Sequence, residues 1–155
     1  MQTSKLISWV AVAAVAGLAA SALMAWRSVS VERAEPDDAF RRFAEIRSAF
    51  SGLEPILRVQ PDGRIVRSKE PVGEGQPPKQ FRVLAYRAEE RRLVRANIAF
   101  WFLRTKGPAV KYALRGTGLD LDRLGISPAD LARYGPTLVL DETATGGGRL
   151  LVWTE

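Results

Sequence analysis

The chain has 155 residues, 46% of them apolar and 26% charged, which suits one modest globular core and argues against wholesale disorder. It contains no cysteine and no histidine, so disulfides, thiol chemistry, Ser-His-Asp and Cys-His catalysis and the usual zinc sites are excluded. The net charge of +6 is uneven: residues 27–78 balance nine bases with nine acids, residues 79–115 carry ten bases against Glu89 and Glu90, and residues 116–155 carry three bases against six acids.

Residues 6–26 contain no charged side chain. At a rise of about 1.5 Å per residue they make roughly 30 Å of helix, the thickness of a bilayer core. Lys5 and Arg27 bracket the stretch, and Trp9 and Trp26 lie near its ends, where amphipathic rings favour the membrane interface. Ala20-Ser21-Ala22 could serve as a signal-peptide cleavage site, but the apolar run continues through Leu23, Met24 and Trp26. The expectation is an uncleaved single-pass anchor over residues 1–26, in a bacterial cytoplasmic membrane. Arg27, Arg33, Arg41 and Arg42 outnumber Lys5 and would hold the domain inside, but short N-terminal tails usually stay in the cytoplasm, and the expectation is an extracytoplasmic domain. Ala13, Gly17, Ser21 and Ala25 recur every four residues, a spacing that lets a second helix approach closely in lipid.

Residues 27–37 are polar and read as a linker, and one domain is expected over residues 38–155. Asp37 or Asp38 can cap a helix beginning near Ala39, whose stripe of Phe40, Phe43, Ile46 or Arg47, and Phe50 faces the core before Ser51-Gly52 ends it. Residues 56–59 and 64–67 flank Pro61-Asp62-Gly63 as a hairpin. Residues 68–80, with three prolines and two glycines, form an exposed loop.

Residues 81–86 and 93–103 read as two strands, the second burying Val94, Ala96, Ile98, Phe100 and Phe102. Val110, Tyr112 and Leu114 alternate with Lys111 and Ala113 and suggest a further strand. Ser127-Pro128-Ala129-Asp130 starts a short helix, and residues 137–140 and 149–153 pair across Gly146-Gly147-Gly148. The fold class is therefore α+β: one transmembrane helix, then a small antiparallel-rich sheet with two helices. Phe40, Phe43, Ile98, Phe100 and Leu138 are the expected core.

The chemistry-bearing patterns are sparse. The triple glycine leads into a strand, so it lacks the Lys-Ser/Thr and helix of a phosphate loop. Asp120 and Asp122 form an i, i+2 carboxylate pair beside Gly116 and Gly118, a turn with no third oxygen ligand adjacent; with Asp141 they are the candidates of an alternative, carboxylate-using enzyme. Trp101 and Trp153 would line the pocket of a second alternative, a carrier of apolar ligands. Arg87, Arg91, Arg92 and Arg95 are the densest basic run, a candidate contact for anionic lipid headgroups or an acidic protein. The nearby aromatics Tyr86 and Phe100 belong to the apolar face, and a membrane tether argues against nucleic acid as a partner.

The segments Phe100-Trp101-Phe102-Leu103-Arg104, Asp130-Leu131 with Tyr134-Gly135-Pro136, Leu138-Val139-Leu140-Asp141 and Leu151-Val152-Trp153-Thr154-Glu155 resemble small membrane-anchored bacterial proteins of uncharacterised activity. The resemblance spans roughly residues 80–155 and implies no cofactor and no functional residue. The reading that follows is a membrane-tethered, non-enzymatic interaction module, an accessory or scaffold subunit whose partners are membrane lipid and a protein met through the anchor helix or the basic face.

Overall fold

The computed structural model describes residues 27–71, 75–105 and 107–155, together with Ala20 and Leu23. The expected anchor, with Trp9, Gly17, Ser21 and Trp26, lies outside the described residues apart from Ala20 and Leu23. Among the described residues no helix is long and apolar enough to cross a membrane.

A five-stranded antiparallel sheet forms the middle layer, with strands β1 (Val29–Arg33), β4 (Gln80–Arg87), β5 (Arg92–Ala99), β6 (Thr137–Thr143) and β7 (Arg149–Thr154) in the order β1-β5-β4-β7-β6. A separate hairpin pairs β2 (Leu57–Val59) with β3 (Ile65–Arg67). The helices are α1 (Pro36–Ala49), α2 (Phe100–Thr105), α3 (Gly107–Leu114) and α4 (Pro128–Tyr134), with a 3-10 turn at Arg115–Thr117.

Alternation along the strands divides the core in two. One face of the sheet turns Leu84, Tyr86, Leu93, Leu151 and Trp153 toward α1, which answers with Ala39 and Phe43. The other turns Phe81, Val83, Ala96, Ile98 and Val152 toward α2, α3, α4 and the small hairpin. At Val139 the register of β6 against β7 shifts by one residue. This bulge lets Leu138 face α1 while Val139 and Leu140 both enter the opposite core. The Ile56 N–H donates to the Leu138 carbonyl at 3.1 Å and so pins the small hairpin to the sheet.

Several expectations are corrected. Val29–Arg33, expected within a linker, is the edge strand β1; Val29-Ser30-Val31-Glu32 alternates, but over too few residues to mark a strand by itself, and β5 supplies the pairing. Helix α1 begins at Pro36, with Glu35 as its cap residue and no side-chain cap; Asp37 and Asp38 occupy its first turn, where they complement the helix dipole. Phe40 is 37% exposed at the rim of α1, edge-on to Tyr86, whereas Phe43, Ile98, Phe100 and Leu138 are buried as expected.

The strand expected to run to residue 103 stops at Ala99, because its neighbours stop there. Gln80, the first residue of β4, is the partner of Ala99, and the Phe100 N–H already donates to the Lys79 carbonyl at 2.8 Å. Further extension would leave backbone groups unpaired, which a helix satisfies internally. Phe100, Phe102 and Leu103 are buried from α2 instead. The expected strand over residues 110–114 is helix α3: Val110 and Leu114, four apart, are buried while Tyr112 is exposed. Four α-helices thus stand among the described residues where two were expected.

The remaining elements match their sequence signals. In the small hairpin, Gly63 takes a left-handed conformation and the Asp62 carboxylate accepts the Arg64 N–H at 3.0 Å. At α4, the Ser127 hydroxyl accepts the Asp130 N–H at 3.1 Å while the Asp130 carboxylate accepts the Ser127 N–H at 3.3 Å, a complete capping box.

Candidate functional site

The three carboxylates proposed for chemistry do not converge. Asp141 lies on the α1 side of the sheet, 19% exposed, between Arg149 at 3.2 Å and Arg47 at 3.3 Å. Arg149 is held over the Phe43 ring, 5.1 Å from its centroid, so the trio is an electrostatic clasp between α1 and the β6–β7 hairpin. Asp120 and Asp122 sit beyond the opposite face, in the loop after the 3-10 turn. Asp120 accepts the Asp122 N–H at 2.9 Å, and Asp122 is paired with Lys111 at 2.7 Å. Among the described residues no group of three acidic side chains is placed to hold a metal ion.

The two tryptophans do not share a pocket either. Trp153 is buried against α1 and donates its indole N–H to Glu155 at 2.8 Å, while Trp101 stands on the other side, 57% exposed on α2. The depressions near the 3-10 turn are open. One, of about 80 Å³, is lined by Val59, Ile65, Leu119, Arg123 and Leu140; the other, of about 370 Å³, by Lys111, Arg115 and residues 118–122.

The basic run is split by the strand it sits on. Arg87 and Arg92 are cross-strand partners at the turn between β4 and β5, and both bind Glu90, at 3.2 and 3.1 Å. Arg91, in a left-handed turn conformation, binds Glu35 at 3.2 Å. Arg95 lies an odd number of residues from Arg92 and so faces the α1 side. The sequence run is strongly basic, but the turn itself carries Glu89 and Glu90, and Glu35 reaches Arg91 from just before α1.

The surface that sequence reasoning missed belongs to α2 and α3. Trp101 and Tyr112 are the two most exposed aromatics among the described residues, at 57% and 72%. The Arg115 guanidinium lies 5.6 Å from the centroid of the Tyr112 ring. Arg104 and Arg115 make no ion pair among the described residues, and residues 100–115 contain four bases and no acid. The signal was present in the Tyr112 to Arg115 spacing, which joins side chains only on a helix; the alternating strand reading concealed it.

Titration behaviour singles out no catalytic group. Asp62 is held below its ordinary value by hydrogen bonds from the Arg64 backbone and side chain. Asp130 is lowered by the Ser127 hydroxyl and backbone, with Arg67 and Arg133 adding to the effect. Burial raises the Tyr134 hydroxyl, which donates to the Lys69 carbonyl at 2.6 Å. The first two are local bonds, and the Tyr134 hydroxyl joins segments 65 residues apart. No protein-family model, no curated protein and no solved structure matches this chain.

Proposed function

We propose that this chain is a single-pass, membrane-tethered interaction module, an accessory or scaffold subunit of a membrane or envelope complex. The observation that carries the reading is the uncharged stretch of residues 6–26, bracketed by Lys5 and Arg27 and flanked by Trp9 and Trp26. The domain side supports it. Two of the three candidate acids are committed to ion pairs, Asp141 with Arg47 and Arg149 and Asp122 with Lys111, and large aromatic rings are offered to the outside. A protein without histidine and cysteine also lacks the side chains that most often act as general base and nucleophile. The membrane is the bacterial cytoplasmic membrane, with the domain on its outer side. The small residues Ala13, Gly17, Ser21 and Ala25 give the anchor a ridge for a partner helix or its own copy.

Alkaline carbonate washing of membranes tests the tether. The full chain is expected in the pellet and a chain beginning at Arg27 in the wash. Release of the full chain, or a mature protein beginning at Leu23, overturns the reading. Gly17→Ile, which fills the ridge but preserves an insertable segment, is expected to reduce helix association in a membrane-based assay. An unchanged signal would leave the segment as a tether alone.

A further inference from the structure

We infer that the α2–α3 face is the domain's contact with the anionic lipid surface, and that the arginine-rich β4–β5 turn points away from it. The inference rests on the tethered reading above and adds which side of the domain meets the bilayer.

The sheet supplies the geometry. The chain enters the domain at β1, whose first residue Val29 pairs with Ala96, and the Ser28 carbonyl accepts the Asn97 N–H at 2.7 Å. Residue 28 follows the apolar stretch by two positions, so a membrane anchor ends beside Asn97. From Asn97, Phe100 and the start of α2 are three residues along β5, about 10 Å away. The turn holding Arg91 is six residues in the opposite direction, about 20 Å away. A tether that delivers the chain at Ser28 therefore brings α2 to the membrane and carries the basic turn outward.

The side chains of α2 and α3 suit a headgroup layer. Trp101 and Tyr112 combine an apolar ring with a polar edge, the side chains enriched at membrane interfaces. Arg27, Lys79 and Arg104 are exposed within a few residues of the end where α2 begins, without ion pairs among the described residues. The Lys79 carbonyl binds the first residue of α2 directly. Glu155, paired with Gln80 at this end, is occupied by Arg82 and Trp153. Beyond α3, Asp122 is occupied by Lys111 and Asp120 accepts the Asp122 N–H. At the far end four bases are matched, Arg42 with Glu32, Arg91 with Glu35, and Arg87 and Arg92 with Glu90, while Arg33, the cross-strand partner of Arg92, is exposed without an ion pair among the described residues. An exposed cation attracts an anionic surface only over about a Debye length. Three unmatched bases, Arg27, Lys79 and Arg104, thus contribute at the near end, against Arg33 at the far end.

The absence of cysteine permits single-site labelling of the full chain. Trp101→Cys, Tyr112→Cys and Glu89→Cys, all at exposed positions, would each carry a fluorophore after reconstitution into vesicles of phosphatidylcholine and phosphatidylglycerol. A fourth variant, Trp26→Cys, reports the tether. Quenching by lipid bearing a headgroup-level spin label is expected to be several-fold stronger at positions 101 and 112 than at position 89. It is expected to weaken in phosphatidylcholine alone or at high salt. Equal quenching at 89 and 112, or stronger quenching at 89, overturns the inference while a quenched position 26 leaves the tether standing. An unquenched position 26 overturns the tether, and with it this inference. Quenching at 101 and 112 that ignores lipid charge overturns the anionic part.

Discussion

Phe40 and Phe43 are three positions apart on one helix and had the same claim to the core. Tertiary placement separates them. Phe43 is fully buried beneath the Arg149 guanidinium, whereas Phe40 is left at the rim with only an edge contact to Tyr86. Phe43→Ala is expected to cost about 3–5 kcal/mol in urea unfolding. Phe40→Ala is expected to cost about 1 kcal/mol or less. Similar losses at both positions would show that α1 is rotated from the orientation described. Asp130 allows a pH test at the same scale. Its carboxyl is lowered in the fold by Ser127, so its contribution is present above the unfolded value of about 3.9 and is lost as pH falls through the folded value. Asp130→Asn is therefore expected to destabilise at neutral pH and to lose most of that effect below the folded pKa. A penalty unchanged by acid would assign the role to shape rather than charge.

Between α4 and β6 the backbone makes its tightest turn at Gly135, with φ +68° and ψ −159°, a region open essentially to glycine alone. A Cβ there would stand 3.1 Å from the Gln76 carbonyl oxygen, and the Gly135 carbonyl accepts the buried Thr154 hydroxyl at 2.9 Å. Gly135→Ala is expected to cost about 1–3 kcal/mol. Gly63→Ala, also left-handed but with nothing within 4 Å of the added methyl, should cost less. The reverse order in thermal melts would mean that the 135–137 turn relaxes freely. The element scale is also where sequence reading was weakest. Residues 100–105 and 110–114 fit an alternating pattern and a helical one equally in so few positions; for the first, the end of β4 beside Ala99 and of β1 beside Ala96 decides between them. The hairpins and the α4 capping box needed no such arbitration. Their signals, Pro61-Asp62-Gly63, the triple glycine and Ser127-Pro128-Ala129-Asp130, act within a few residues.

On the scale of the molecule, β1 does two things. It covers the edge of β5, and it fixes where the preceding segment meets the domain. A chain beginning at Ala34 would bare the β5 edge from Leu93 to Ala96, a template for pairing with another copy. Compared with a chain beginning at Arg27, it is expected to melt lower and to run as larger species in size-exclusion chromatography. Equal behaviour of the two would make β1 dispensable to the fold. The placement of charge is likewise a whole-molecule property. Residues 79–115 are basic in sequence, yet Glu35, from just before α1, is brought to Arg91 in the β4–β5 turn.

The sequence by itself determined the exclusion of histidine- and cysteine-based chemistry, the apolar stretch ahead of the domain, the α+β class, three hairpins and the capped helix α4. These follow from composition or from patterns confined to a few neighbouring residues, where the physical cause is local. Only the tertiary structure decided that β1 is a strand, that α2 and α3 are helices, that Phe40 is at the rim, and which arginines remain without a counter-charge. A strand needs a partner, burial needs a covering layer, and an arginine's net field depends on acids that arrive from remote positions such as Glu35.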